Sequence, residues 1–202
     1  MKKLKNILLI SSTSLAIAML PGQAASEAVT VTGNGNIQAG VNLDFRINIP
    51  SVLRFRVGSP GGTINEIIFD PPAATLGDPL NPVSATSGGD TGTPGDVSVQ
   101  IISNAGVITI TESNNSGGAG LANLVGNRIP YAEIGTISDN SDLSPPVLSN
   151  SGTNTSSPTI NGSLTIENAT WTYAYLNTAV YESGTYGTSA RGGRVTYTAS
   201  NP

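Results

Sequence analysis

The sequence predicts an all-β, antiparallel β-sandwich with long loops, preceded by a cleaved signal peptide. Three observations predict it. Short runs of Val, Ile, Thr and Tyr are punctuated by Gly, Pro, Asn and Ser. Residues 37–49 alternate apolar and polar side chains without a break. No segment after residue 24 carries the 3.6-residue periodicity of an amphipathic helix. A closed barrel is the alternative arrangement of the same strands.

The start of the chain has its own logic. Lys2, Lys3 and Lys5 are the only lysines, and an apolar run broken only by small hydroxyl residues follows over 7–20. Pro21-Gly22-Gln23-Ala24 comes next, placing Gly22 at −3 and Ala24 at −1 of a signal-peptidase cut. Cuts after Ser26 or Ala28 are alternatives. The run is shorter than the roughly 20 residues of a membrane span, which disfavours an uncleaved anchor. The expected organisation is a signal peptide over 1–24, a short extension over 25–36 and a single domain over 37–202. The exported part carries six arginines and all 13 acids, a formal balance of −7.

That composition excludes much chemistry. Beyond residue 24 there is no Lys, His or Cys. Catalytic systems of the Ser-His-Asp or Cys-His type, a lysine Schiff base, and His or Cys metal sites are all ruled out. So are disulfides and lysine isopeptide bonds. An acidic, lysine-free surface argues against nucleic acid. No enzyme activity, cofactor or membrane span after the signal peptide is expected, and the location is exported: periplasm, cell surface or extracellular.

Residues 37–49 are the strongest strand signal. Ile37, Ala39, Val41, Leu43, Phe45, Ile47 and Ile49 share one face of an extended chain. At about 3.3 Å per residue the segment reaches roughly 43 Å, long for a strand, so a bend at Gly40 is expected. After Pro50 the pattern resumes with Leu53, Phe55 and Val57. Further strands are predicted at 29–32, 64–69, 97–102, 107–111, 129–137, 159–167, 170–176 and 194–199. Three long connections, 70–96, 112–128 and 138–158, are rich in Gly, Pro, Asn and Ser. Asp90 and Asp96, and Asp139 with Asn140 and Asp142, cluster in these loops. Calcium takes such oxygen ligands, but no EF-hand spacing is present, and solvated loop acids are the plainer reading.

Trp171, Tyr173 and Tyr175 alternate, so they share one face of a strand. Two readings are open: a stacking platform for sugar rings, or a place in the core. The core is favoured, since large aromatics dominate cores and few are available here.

The end of the chain is the most specific stretch. Gly184-Thr185-Tyr186 is followed by Gly193-Arg194-Val195-Thr196-Tyr197. This resembles the Gly-x-Tyr…Gly-x-Val-x-Tyr ending of bacterial secreted immunoglobulin-like domains, including fimbrial subunits and fimbrial-like surface proteins. The front, a signal peptide and a short Val29/Val31 run before a long strand, is similar to theirs. The resemblance implies an immunoglobulin-like fold and assembly by strand exchange. A subunit would donate an N-terminal strand to the open groove of the next, with other surface subunits and a periplasmic chaperone as partners. On that pattern the donor is 25–36, with Val29 and Val31 as inserted residues. Unlike many fimbrial subunits the chain has no cysteine, and Tyr197 is not penultimate. The function expected is a structural or adhesive surface protein; the alternative is a monomeric secreted module that binds polysaccharide.

Overall fold

The computed structural model describes residues 28–61, 66–159 and 164–201. The expected signal peptide, with Gly22 and Ala24, lies outside them. The chain divides into two units, Met1–Ile49 and Pro50–Pro202.

The second unit is antiparallel β throughout. Its strands are β1 (Leu53–Val57), β2 (Val83–Ser84), β3 (Asp96–Ser103), β4 (Thr109–Asn114), β5 (Leu121–Ala122), β6 (Arg128–Ile129), β7 (Ile134–Ser138), β8 (Thr155–Ser156), β9 (Thr165–Tyr175) and β10 (Val195–Ser200). The only helical elements among the described residues are three short 3-10 turns. One sheet is built on β9. Its partner β3 runs along Thr165–Thr172 and β2 continues that side, while β7 pairs with the opposite side from Trp171 to Tyr175. β1 closes the outer edge of β3. A second sheet has the order β10-β4-β8, and β5 pairs with β6 in a small hairpin.

Period-two burial explains why these residues form these strands. In β3, Val97, Val99, Ile101 and Ser103 are buried, while the intervening residues are half-exposed. β9 alternates likewise, burying Thr165, Ala169, Trp171, Tyr173 and Tyr175. Both sheets contribute to one core: Val97, Val99, Ile101, Trp171 and Tyr173 from the first, Ile110 from the second, with Tyr131, Leu143 and Leu148 from connections.

Several expected strands change. The two predicted over 159–167 and 170–176 run together in one strand, β9, from Thr165 to Tyr175, while 160–163 lie outside the described residues. Asn168, which reads as a break, sits on the outer face, where its Oδ1 accepts from Gln100 Nε2 at 2.8 Å. The strand predicted over 129–137 is split by a 3-10 turn at Tyr131–Glu133, next to Pro130, whose missing N–H interrupts pairing. At 64–69, partly outside the described residues, only an isolated bridge from Ile68 to Ser87 forms.

The largest departure lies in the first unit. The strands predicted at 29–32 and 37–49 join no ladder among the described residues, and 28–49 are exposed throughout. Phe45, Ile47 and Ile49 are 85%, 83% and 78% exposed. The compact β unit therefore begins at Pro50, not at Ile37. Alternation marks 37–49 as fit for a sheet, but no sheet here receives it.

Candidate functional site: a groove between two free strand edges

β1 ends one sheet and β10 ends the other. They are neighbours in space, yet they share no hydrogen-bonded ladder. Beside them opens a groove of about 1,090 Å³. Phe55 and Val57 of β1 line one side, and Val195 and Tyr197 of β10 line the other. Val97 and Tyr173 lie among its lining, with Tyr175. Ile67 and Phe69 extend one wall; residues 181–189 extend the other.

The pattern along the edge strands explains this. Val195, Tyr197 and Ala199 are inward-facing positions of β10, but they are only half-buried, and so are Phe55 and Val57 of β1. Core-facing side chains at both edges thus lack cover. The outer edge of a strand also presents N–H and C=O groups without ladder partners, a template for a further strand.

The groove walls are held by specific contacts. Tyr197 packs edge-on against Trp171, with ring centroids 5.2 Å apart at 69°. Its hydroxyl meets that of Tyr173 at 3.0 Å. Burial pushes the Tyr173 phenol up to about 12. Tyr197 is raised well above the usual phenol range, by burial first and then by Tyr173. Tyr181, on the groove wall, donates its hydroxyl to the buried Glu133 at 3.1 Å, which also accepts from Thr178 N at 3.0 Å and from Thr178 Oγ1. Burial and then the Glu133 charge push Tyr181 up to about 12. The turn at 187–193 is pinned too: Arg191 N and Gly193 N both donate to Thr188 O. Position 193 has to be glycine, because a Cβ there would collide with the Gly187 carbonyl.

Trp171 is fully buried, and its Nε1 donates to Leu143 O at 2.8 Å. Tyr173 and Tyr175 are each 7% exposed. A sugar platform needs open ring faces, so this row does not form one; the core reading of Trp171 holds, while the two tyrosines line the groove. Val29 and Val31 are about 40% exposed, outside any ladder. The loop acids brace turns. Asp90 accepts from Ser98 N at 2.6 Å and Ser98 Oγ at 2.5 Å, Asp96 from Thr172 Oγ1 at 2.6 Å, and Asp139 from Thr170 N at 2.7 Å. Among the described residues no three His, Cys, Asp or Glu side chains could share a metal ion. No helix among them is long and apolar enough to cross a membrane.

The position of the groove, beside β1 and β10, is not legible in the sequence. Its only trace in sequence is the set of inward-facing residues on β1 and β10, which look like any other half-buried strand positions. A second concavity, of about 320 Å³, lies between the β5–β6 hairpin and residues 190–192 and is polar, with Asn115, Asn123, Arg128 and Arg191 on its walls.

No family model matches the chain, and no curated protein or solved structure is significantly similar to it.

Proposed function

We propose that the chain is an exported structural or adhesive surface subunit, an immunoglobulin-like sandwich one strand short, that assembles by β-strand addition. The observation carrying this reading is the apolar groove flanked by the free edges of β1 and β10. Strand addition supplies main-chain hydrogen bonds to a free edge and alternate side chains to an apolar cleft, the two things this groove lacks. Its volume, about 1,090 Å³, lies just above the roughly 300–1,000 Å³ of small-molecule pockets. Its walls are edge strands and loops, which suits an extended peptide better than a compact ligand. Export rests on the residue pattern of 1–24.

The test is light scattering on the exported product across a concentration series, after unfolding and refolding. A ladder of oligomers that grows with concentration supports the reading. A cooperative monomer at every concentration refutes it and returns the polysaccharide-binding module as the leading alternative, with its ligand sought at the loops and not at the buried aromatic row.

A further inference from the structure

Three segments meet around the polar concavity beside the β5–β6 hairpin, and hydrogen bonds stitch them together. Ala122 N donates to Arg191 O at 2.9 Å, and Gly187 N donates to Ala122 O at 3.0 Å. Asn115 N donates to Arg194 O at 3.2 Å. The Asn115 side chain ties the same loop twice more: Oδ1 accepts from Arg194 N at 3.0 Å, and Nδ2 donates to Ser189 O at 2.6 Å. Gly192, which is buried, lines the concavity where the segments come closest. A Cβ there would lie 2.8 Å from Gly120 O and 3.1 Å from Ser116 Cα. The walls are thus set before a ligand arrives, which lowers the ordering cost of binding one.

The charge on those walls runs against the rest of the chain. Beyond residue 24 there are 13 acids and six arginines, yet Arg128 and Arg191 line the concavity and no Asp or Glu does. Arg128 Nη1 reaches Gly120 O at 3.4 Å, and the Arg191 guanidinium has no carboxylate partner among the described residues. A guanidinium fork not taken up by the chain's own acids can grip two oxygens of a carboxylate from outside. Asn123 adds an independent observation. It lines the same concavity and is only 6% exposed. Its Oδ1 is held by Val125 N at 3.1 Å and Asn127 N at 2.8 Å. Its Nδ2 donates to nothing among the described residues. A withdrawn amide, pinned at one end and unused at the other, gains a full hydrogen bond from a ligand that supplies an acceptor.

We propose that this concavity binds a small hydroxylated carboxylate, a sugar acid, whose carboxylate is taken by Arg128 and Arg191 and one of whose hydroxyls accepts from Asn123 Nδ2. Its volume, about 320 Å³, is at the small end of the roughly 300–1,000 Å³ of small-molecule pockets, which fits one sugar ring better than a chain of them. Its polar walls give an apolar ligand nothing to bury against. Two arginines alone would suit any oxyanion. The Asn123 amide and the Ser116 hydroxyl on the same walls are neutral groups of the kind that pair with hydroxyls. The inference goes beyond strand addition and does not depend on it, since neither β1 nor β10 lines this concavity.

The experiment titrates the exported product of the full chain in a calorimeter with glucuronate, and separately with glucose and with inorganic phosphate. Glucuronate is expected to bind saturably, about tenfold or more tighter than either of the others, and more weakly as salt is raised. Arg128→Gln and Arg191→Gln are each expected to weaken glucuronate by about tenfold. Arg54→Gln, on β1 and outside the concavity, is expected to leave it unchanged. These arginines are exposed or half-buried, so the variants keep the fold, which their melting temperatures without ligand verify. Asn123→Asp keeps the acceptor for Val125 N and Asn127 N, replaces the free donor with a negative charge, and is expected to abolish binding. Absence of saturable glucuronate binding overturns the proposal. Glucose bound as tightly as glucuronate overturns the role of the arginines, and phosphate bound as tightly reduces the concavity to a general anion cradle and overturns the sugar acid. Binding that survives Arg128→Gln and Arg191→Gln together places the ligand elsewhere and overturns the site. Binding unchanged by Asn123→Asp overturns the contact given to Asn123.

Discussion

Tyr173 and Tyr197 join their hydroxyls at 3.0 Å, tying β9 of one sheet to β10 of the other beside the groove. Tyr173 is buried and Tyr197 half-buried, and the two hydroxyls bond to each other. Removing one leaves its partner buried and unsatisfied. Tyr197→Phe or Tyr173→Phe alone is expected to cost about 1–3 kcal/mol of stability. The double change to Phe removes both polar groups and is expected to cost less than the two single changes added together. A double-mutant cycle in urea reads this coupling. Strict additivity would show that the two hydroxyls do not interact.

The same burial predicts alkaline sensitivity. Tyr131 and Tyr173 are held up to about 12, in each case chiefly by desolvation, with the Glu112 charge adding to Tyr131. In the unfolded chain phenols titrate near 10. The folded state therefore holds protons that the unfolded state releases between about pH 10 and pH 12. Stability from this source is complete below pH 10 and is lost as pH rises through 12. Melting temperature should fall steeply over that window. Tyrosinate absorbance should develop together with unfolding, not ahead of it. A native-state titration of all six tyrosines near pH 10 would contradict the burial.

Asn177 is the anchor for the 75–81 turn. It is fully buried and, among the described residues, is the only non-glycine with positive φ, at 58°. Its Oδ1 accepts from Gly77 N at 2.9 Å, and its Nδ2 donates to Thr75 O at 2.6 Å. Asn tolerates this left-handed conformation better than most side chains. Asn177→Ala should lose both the bonds and the favourable backbone, costing about 2–4 kcal/mol. Asn177→Gly should lose only the bonds and recover about 1 kcal/mol relative to Ala. Equal losses for the two, measured by thermal unfolding, would show that the positive φ carries no weight.

How much of this was legible in sequence depends on what each pattern reports. Alternation in 97–102, 107–111 and 194–199 located β3, β4 and β10, because period two needs only a sheet with one buried face. Alternation put Trp171, Tyr173 and Tyr175 on one face, and the weight of large aromatics in cores favoured the core for Trp171. Alternation says nothing of which chain supplies the sheet. Residues 37–49 obey it most strictly, yet they join no strand ladder among the described residues. The groove was harder to read, because its walls, around Val57 and Val195, are far apart in sequence and meet only in the fold. The short Val29/Val31 run stood out by resemblance alone.

Glu112 offers a test of how the core tolerates charge. It is fully buried on β4, opposite Tyr197 of β10. Its Oε1 accepts from Ser149 N at 3.3 Å and Ser149 Oγ at 3.1 Å, while Oε2 has no hydrogen-bond partner. A carboxylate oxygen without a partner in a dry interior costs more than a neutral amide there. Glu112→Gln keeps an acceptor for Ser149 and removes the charge. It is therefore expected to raise stability by about 1 kcal/mol, unlike most core substitutions. Glu112→Ala should lower stability, because it opens a cavity and strands the Ser149 donors. The Gln variant should also bring Tyr131 down from about 12, since the Glu112 charge helps to hold it there. Urea unfolding checks the first expectation and tyrosinate titration the second. A destabilised Gln variant with Tyr131 unmoved would mean that Oε2 has a partner in solution, such as an ordered water.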